Sequence, residues 1–210
     1  MPGATEHLQL LDWKRQISDL YQMIRASSEP AAAWRSWCAR REELFRRHPQ
    51  SPLPARTRAA HRGLPYYPYD PAARILADVV DIAPVPRDIA ASDGVPYPVA
   101  HFATARFAVH GRSCELGLYW LSGYGGGLFL PFRDHTSGTE TYPGGRYLLD
   151  TIKGADLGME RDRLVLDFNF AYNPSCAYDP AWSCPLTPQE NLLAMALRSG
   201  ERAPASPVER

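Results

Sequence analysis

The sequence lacks an excess of charge of either sign. Lys plus Arg and Asp plus Glu both number 23 among the 210 residues, so the formal net charge is zero. Proteins that bind nucleic acid through their overall electrostatic field carry a clear excess of basic residues. The composition therefore predicts no nonspecific binding to nucleic acid or to an anionic membrane.

Long apolar runs are also missing. No stretch approaches the ~20 apolar residues that cross a bilayer as a helix. The first residues, MPGATEHLQLLDWK, contain neither a basic leader nor a small-residue cleavage site. We therefore expect no membrane partner and a soluble, cytoplasmic protein.

Cysteine is scarce, and the four cysteines at positions 38, 114, 176 and 184 are too scattered for the disulfide framework of a small secreted domain. Cys176 and Cys184 flank Trp182, but no CxxC or HxxxH pair accompanies them. We expect two buried thiols, no metal and no cofactor. A loop-closing disulfide, a metal site and a nucleophilic Cys176 are the alternatives.

Apolar residues make up 45% of the sequence and aromatic residues 11%, which is enough for one sizeable core. We expect a single domain over residues 1–202, followed by a disordered tail at 203–210. Its predicted parts are a helical segment at 5–48, a proline-rich strap at 49–73 and an antiparallel β part at 74–202. The strap combines six prolines with three tyrosines, which predicts extended backbone held against the domain.

Apolar residues from Trp13 to Ile24 recur at helical spacing, with Thr5 as a candidate cap. A second helix is predicted to begin near Pro30 and to end before His48. Its second half gathers basic residues, which indicates a solvated face, with an anion-binding patch as the alternative.

Beyond Arg74 the apolar period changes to two. The segments ILADVVDIA, PVAHFATARFAVHG, CELGLYWLSG, LFLPFRD and RLVLDFNFAY are separated by short glycine-containing turns. Short connections imply antiparallel pairing. Residues 187–190 have the form of a capping box, which by itself predicts a helix through Leu197. The predicted fold is α+β and mainly β, with N-terminal helices packed on an antiparallel sheet or barrel.

One face of the predicted sheet carries polar groups. In RLVLDFNFAY the alternation places the leucine and phenylalanine side chains on one face and Asp167 and Asn169 on the other. A curved sheet with one polar face is typical of a ligand pocket. Residues on strands are better site candidates than loop residues, because rigid elements hold geometry.

Four segments, FRDHTSGTETYPGGRYL, LDFNFAYNPSCAY, WSCPLTPQENLL and HPQSPL…RGLPYYPYDPAAR, resemble the bacterial and archaeal family of domain of unknown function 1684. The resemblance covers nearly the whole chain after the first helix and implies a mainly β fold. It also implies a strand over 193–198 in place of a helix, so we expect one helical turn followed by a strand there. It implies no activity. Matching positions include Asp134, Arg146, Asp167 and Asn173. One departure is His135, where the family usually has a small or non-aromatic residue, so we assign it no role.

The leading functional hypothesis is a small-molecule enzyme that uses acid and base chemistry. The candidate catalytic residues are Asp134, Glu140 and Asp167, because a carboxylate in a partly dry pocket has a pKa raised toward neutrality. The candidate substrate-binding residues are Tyr142, Arg146, Asn169, Tyr172 and Asn173. A purely structural alternative has Asp134 shaping a turn and Asp167 paired with Arg146.

Two other functions fit the same sequence. A non-catalytic barrel would use these polar groups only to orient a small-molecule ligand. An interaction module would instead bind a partner through the tyrosine-rich strap.

Overall fold

The computed structural model describes residues 3–204. Two long helices come first, α1 (Ala4–Ala26) and α2 (Pro30–Arg47). The predicted limits of α2 are confirmed, with Pro30 in its first turn and the His48 N–H donating to the Leu44 carbonyl. The predicted Thr5 cap is wrong. Helix α1 begins before it, and the N–H of Gly3 donates to the Glu6 carboxylate at 2.8 Å.

Residues 49–73 run along the domain and include a four-residue helix, α3 (Ala55–Arg58), and a 3-10 turn at Pro71–Ala73. Tyr66 forms an isolated bridge with Glu201, and its ring lies 5.5 Å from that of Trp37. The Tyr67 N–H donates to the Gly200 carbonyl at 3.0 Å. This segment is therefore fixed to α2 and to the residues around 200.

The remaining elements form one antiparallel sheet of seven strands. They are β1 (Arg74–Ile89), β2 (Tyr97–Val109), β3 (Arg112–Leu121), β4 (Gly127–Phe132), β5 (Arg146–Asp150), β6 (Met159–Glu160) and β7 (Arg163–Asp167). Their order across the sheet is β5-β4-β3-β2-β1-β7-β6, and the sheet curls into a half-barrel. The predicted fold class is confirmed: the protein is mainly β, with N-terminal helices.

The two faces of the sheet bury two apolar clusters. The larger one joins helix residues such as Leu20 and Trp37 to Phe132 and other inward residues of the sheet. The smaller one contains Tyr119, Phe129 and Tyr147. The prediction of one apolar and one polar face is therefore wrong for β4, β5 and β7, which are buried on both faces. Strand β2 does alternate between buried and more exposed residues from Ala103 to Val109.

The predicted strand RLVLDFNFAY is shorter than expected. Strand β7 ends at Asp167, and Phe168–Phe170 form a 3-10 turn in which the Asp167 side chain accepts the Asn169 N–H. Leu164, Val165 and Leu166 are all buried, so side-chain alternation does not separate a core face from a pocket face. Asn169 is consequently not on a strand.

Residues 187–198 confirm one expectation and correct another. A 3-10 turn is present at Gln189–Asn191. The predicted strand over 193–198 is absent, and the only ladder contact in this region is a bridge between Leu192 and Arg133. The segment stays irregular because the Leu197 and Ser199 carbonyls turn toward the Arg146 guanidinium.

The predicted tail at 203–210 is only partly described. Ala203 donates its N–H to the Glu140 carbonyl at 3.0 Å, so this residue is fixed to the domain. Residues 205–210 lie outside the described part of the chain. None of the helices within residues 3–204 combines the length and the apolar character that a bilayer crossing requires.

Candidate functional site

The predicted site residues do not meet in one pocket. Asp134 and Arg146 form a buried ion pair, with Arg146 Nη2 donating to Asp134 Oδ2 at 2.7 Å. The other Asp134 oxygen accepts from the Thr136 N–H and hydroxyl, both at 2.6 Å. The Leu197 and Glu201 carbonyls accept further bonds from the guanidinium at 3.1 and 3.2 Å. Burial lowers the pKa of Arg146, and Asp134 opposes that effect. This pair fastens residues 197–201 to β5 and leaves no free acid or base.

Glu140 lies at the surface, away from that pair. Its carboxylate binds the Arg198 guanidinium in a bidentate manner, at distances down to 2.7 Å, and accepts the Tyr67 hydroxyl at 2.8 Å. Arg198 and Tyr67 lower the pKa of Glu140 to about 2. A carboxylate with so low a pKa stays ionised and is a poor general acid.

Asp167 and Asn169 fix the strap to the end of β7. Asn169 exchanges two 2.8 Å hydrogen bonds with the backbone of Asp70 and donates a third, also 2.8 Å, to Asp167 Oδ1. Burial raises the pKa of Asp167, while its bonds to Asn169 lower it. The alternative that Asp167 pairs with Arg146 is wrong, because Arg146 pairs with Asp134.

Tyr142, His135 and the strap tyrosines also lie outside a common pocket. The Tyr142 hydroxyl contacts the Cys176 sulfur at 3.5 Å. The His135 N–H donates to the Met195 carbonyl at 2.9 Å, which makes a backbone contact only. Tyr66 and Tyr69 pack on Trp34, with ring centroids 6.4 and 5.7 Å away. These two strap tyrosines therefore pack against α2.

Tyr172 and Asn173 do line a cavity, which lies between the two long helices and the open edge of the half-barrel. Its inner chamber has a volume of about 60 Å³. The walls are largely aromatic, and Arg41 lies among them with its guanidinium 5.0 Å from the Tyr172 ring. The inner chamber is lined by Trp13, Ile17, Tyr21, Trp37, Arg41, Phe45, Pro52, Tyr147, Lys153, Ala155, Tyr172, Asn173, Pro174 and Ser175.

An outer chamber of about 430 Å³ adjoins the inner one. The two share Trp13, Pro52, Lys153 and Ser175 as lining residues. Apolar groups of α1, β3 and residues 182–185 form much of the outer wall. Its volume lies in the range of ligand pockets, roughly 300–1,000 Å³.

Asp150 and Lys153 form an ion pair in the wall of this cavity, and sequence reasoning missed both. The Lys153 ammonium lies 3.5 Å from Asp150 Oδ2, and 49% of the lysine side chain is accessible against 3% of the aspartate. Burial lowers the pKa of Lys153, but Asp150 and other nearby acidic groups together raise it by more, so the net pKa is raised and the lysine stays charged. The only sequence signal was their three-residue separation at the end of the apolar run YLLD.

Unpaired polar atoms concentrate at this cavity. Within residues 3–204, eight buried side-chain polar atoms lack a hydrogen-bond partner, and four belong to residues that line the two chambers. These four are Tyr21 Oη, Trp37 Nε1, Asp150 Oδ1 and Asn173 Oδ1. A buried polar group without a partner costs about 1–3 kcal/mol. Two of these atoms are donors, on Tyr21 and Trp37, and two are acceptors. Each has almost no accessible surface, so a ligand or water reaches it only when neighbouring side chains move.

Cys176 and Cys184 are free thiols beside the outer chamber. The Cys176 N–H donates to the Cys184 sulfur at 3.3 Å. Cys184 is 1% exposed and lies in the chamber wall, and Cys176 is half-buried. In the part of the chain that the structure describes, no group of three His, Cys, Asp or Glu side chains is placed to hold a metal ion.

These observations define a helix-covered antiparallel half-barrel with an aromatic cavity at its open edge. The family described as Protein of unknown function (DUF1684) matches residues 59–202, and the chain belongs to that family. It is 36% identical to an uncharacterized protein of Haloarcula marismortui solved by solution NMR. That similarity has a TM-score of 0.58 and covers 80% of this chain and 91% of that one. Curated proteins gave no match.

Proposed function

We propose that the protein binds a small amphipathic carboxylate in the two-chambered cavity. The observation that carries this proposal is the concentration of unpaired polar atoms around a cavity with aromatic walls. Natural interiors rarely leave such atoms unpaired. A ligand or ordered water at these positions would supply the missing hydrogen bonds.

The volumes of the chambers assign the two ends of the ligand. The inner chamber, about 60 Å³, admits a polar head group, and water itself needs on the order of 10–15 Å³ by this measure. Tyr21 Oη and Trp37 Nε1 are the donors there. The outer chamber is several times larger and takes the apolar body against Trp13, Leu121 and Trp182.

The charges favour an anion. The Arg41 cation is compensated by Glu201, whose carboxylate lies 2.9 Å away. Among the other lining residues, Lys14 and Lys153 outnumber Asp150. Because the lysine charges exceed that of the aspartate, a carboxylate is preferred over an amine or an alcohol of the same length.

The test is displacement of the fluorescent probe anilinonaphthalene sulfonate by straight-chain carboxylates from hexanoate to dodecanoate, beside the matching primary alcohols. Burial contributes about 0.8 kcal/mol per methylene, so affinity should rise about fourfold for each carbon until the outer chamber is full. Lys153→Met should weaken carboxylate binding about tenfold and leave alcohol binding unchanged. Leu121→Trp should weaken both series by narrowing the outer chamber.

The matched control is Arg47→Met, which removes an exposed cation of α2 that does not line the cavity. It should leave all affinities unchanged. Absence of saturable binding, or an equal effect of Lys153→Met on carboxylates and alcohols, would contradict the proposal.

The second candidate function is an enzyme that uses acid and base chemistry in the same cavity. The observation that favours it is Asp150 Oδ1, which has no hydrogen-bond partner. A carboxylate with a free oxygen is a suitable general base. For this candidate, a bound compound should be converted on prolonged incubation, and Asp150→Asn should stop conversion without abolishing binding. Recovery of the unchanged ligand by mass spectrometry would exclude it for that compound.

A further inference from the structure

A pair of cysteines, independent of the ligand proposed above, has the geometry of a reactive dithiol. The Cys176 N–H donates to the Cys184 sulfur at 3.3 Å, and the Tyr142 hydroxyl lies 3.5 Å from the Cys176 sulfur. Both cysteines are free, and the backbone N–H of Cys176 contacts the Cys184 sulfur although the residues are eight positions apart. Disulfide formation needs a short separation of the two residues, and this pair already has one.

The backbone on either side of the pair is fixed. Ser92 and Cys184 exchange hydrogen bonds in both directions at 3.0 Å, and the Ser92 hydroxyl donates to the Trp182 carbonyl at 3.0 Å. Cys176 lies in the 3-10 turn Ser175–Ala177. The two sulfurs are therefore held together by anchored segments and not by a chance approach of mobile loops.

The two thiols differ in acidity in a way that assigns an order of reaction. The hydrogen bond from Cys184 is the largest influence on Cys176 and, with that from Tyr142, lowers the pKa of Cys176 to about 6. The same bond, together with burial, raises the pKa of Cys184. Burial raises the pKa of Cys38 to about 12 and also raises that of Cys114. Only Cys176 among the four has a lowered pKa.

We propose that Cys176 and Cys184 form an intramolecular disulfide by exchange with a low-molecular-weight disulfide, with Cys176 as the attacking thiolate and Cys184 as the resolving thiol. The Cys176 thiolate attacks one sulfur of the small disulfide, whose S–S bond breaks and releases one thiolate. Cys184 then attacks the Cys176 sulfur in the mixed disulfide and releases the second thiolate. The released thiolates take up the protons of the two cysteines. Two protein thiols are oxidised, and one small disulfide is reduced to two thiols.

The attack by Cys176 makes the later attack by Cys184 easier. In the resting state Cys184 keeps its proton because it donates to the Cys176 thiolate. Once Cys176 is part of a mixed disulfide, that anion is gone and Cys184 ionises more readily. Because Cys184 lines the outer chamber, small thiols can leave through the cavity.

The first experiment uses the wild-type protein. Trypsin cleaves after Arg163 and Arg198 and between them meets no Lys or Arg, so one peptide contains both cysteines. After incubation with oxidised glutathione this peptide should lose two hydrogen atoms in mass and resist alkylation. Cys38 and Cys114 should remain alkylated and act as internal controls. Full alkylation of both cysteines after oxidation, or a crosslink to Cys38 or Cys114, would overturn the proposal.

The second experiment tests the order of reaction. In Cys184→Ser, glutathione should accumulate on Cys176 as a stable mixed disulfide, whereas Cys176→Ser should acquire little glutathione at Cys184. Equal modification of the two variants would overturn the assignment of Cys176. If a variant fails to fold, the rate at which iodoacetamide alkylates each cysteine of the wild-type protein is measured as a function of pH. This pH dependence then tests the assignment of Cys176. The alkylation rate of Cys176 should level off above about pH 7, since its pKa is about 6. The alkylation rate of Cys114 should still be rising at pH 9. The same pH profile for both cysteines would overturn the assignment of Cys176 as the attacking thiolate.

Discussion

Arg146 and Asp134 form an ion pair in which neither side chain reaches solvent: their side chains are 1% and 0% exposed, and the Nη2–Oδ2 distance is 2.7 Å. Replacing Asp134 with Asn removes the anion and leaves the guanidinium buried without a counter-charge. We expect a loss of about 3–5 kcal/mol in the free energy of unfolding, because an uncompensated buried charge is costly. Urea denaturation of the two proteins measures this loss.

Asp167→Asn is the matched comparison. Asn keeps an oxygen that accepts from the Asn169 N–H, and no ion pair is broken. The expected change is within about 1 kcal/mol at pH 7. Burial raises the folded pKa of Asp167 above its ordinary 3.8, so wild-type stability relative to the variant should decline as the pH rises through that folded value. Equal losses for the two substitutions would contradict the different roles of the two aspartates.

Glu140→Gln should change how stability responds to acid. Arg198 and Tyr67 lower the folded pKa of Glu140 from its ordinary 4.5 to about 2. A lowered folded pKa contributes stability that is present above pH 4.5 and is lost as the pH falls toward 2. The wild-type advantage over the variant should therefore shrink across this window in melting curves. The stability advantage of the wild type should also shrink as the salt concentration rises, because the Glu140–Arg198 pair is exposed to solvent. A difference independent of pH would refute the assignment.

Gly145→Ala tests how closely residues 187 and 132 pack on the loop before β5. Gly145 has a φ of +94°, and an added Cβ would lie 2.0 Å from Thr187 Oγ1 and 2.8 Å from the Phe132 carbonyl oxygen. Gly94→Ala is the control, because its φ is +83° and nothing lies within 4 Å. The control should cost about 1 kcal/mol from backbone strain alone. Gly145→Ala should cost clearly more, and similar melting temperatures for both variants would show that the loop accommodates the methyl group.

Periodicity predicted most of the fold. The helix and strand patterns depend on which residues are apolar, and that property is local to the sequence. Strand β5 was missed because its five residues, RYLLD, follow two glycines and contain only three consecutive apolar residues, without alternation. The two-residue strand β6 was missed because it is too short to show a pattern.

The cavity could not be predicted in the same way. Its lining comes from α1, α2, the strap, β2, β3 and segments near residues 150 and 180, which are adjacent only after folding. Alternation along β7 selected Asp167, but this inference required one open face, and both faces of β7 are covered. Of the eight predicted site residues, only Tyr172 and Asn173 line the cavity.

The Arg41–Glu201 contact has a consequence for how the protein is made. Glu201 is 0% exposed, and its carboxylate binds Arg41 on α2 and the Tyr178 hydroxyl and accepts the Asn173 N–H. Arg41 leaves the ribosome 160 residues before its counter-ion. During that interval the Arg41 guanidinium lacks its counter-ion, although the Tyr66 hydroxyl, which also accepts from it, is already present. We infer that the native packing of the helices is completed only after residue 201 has emerged, and that folding is slowed by this long-range closure.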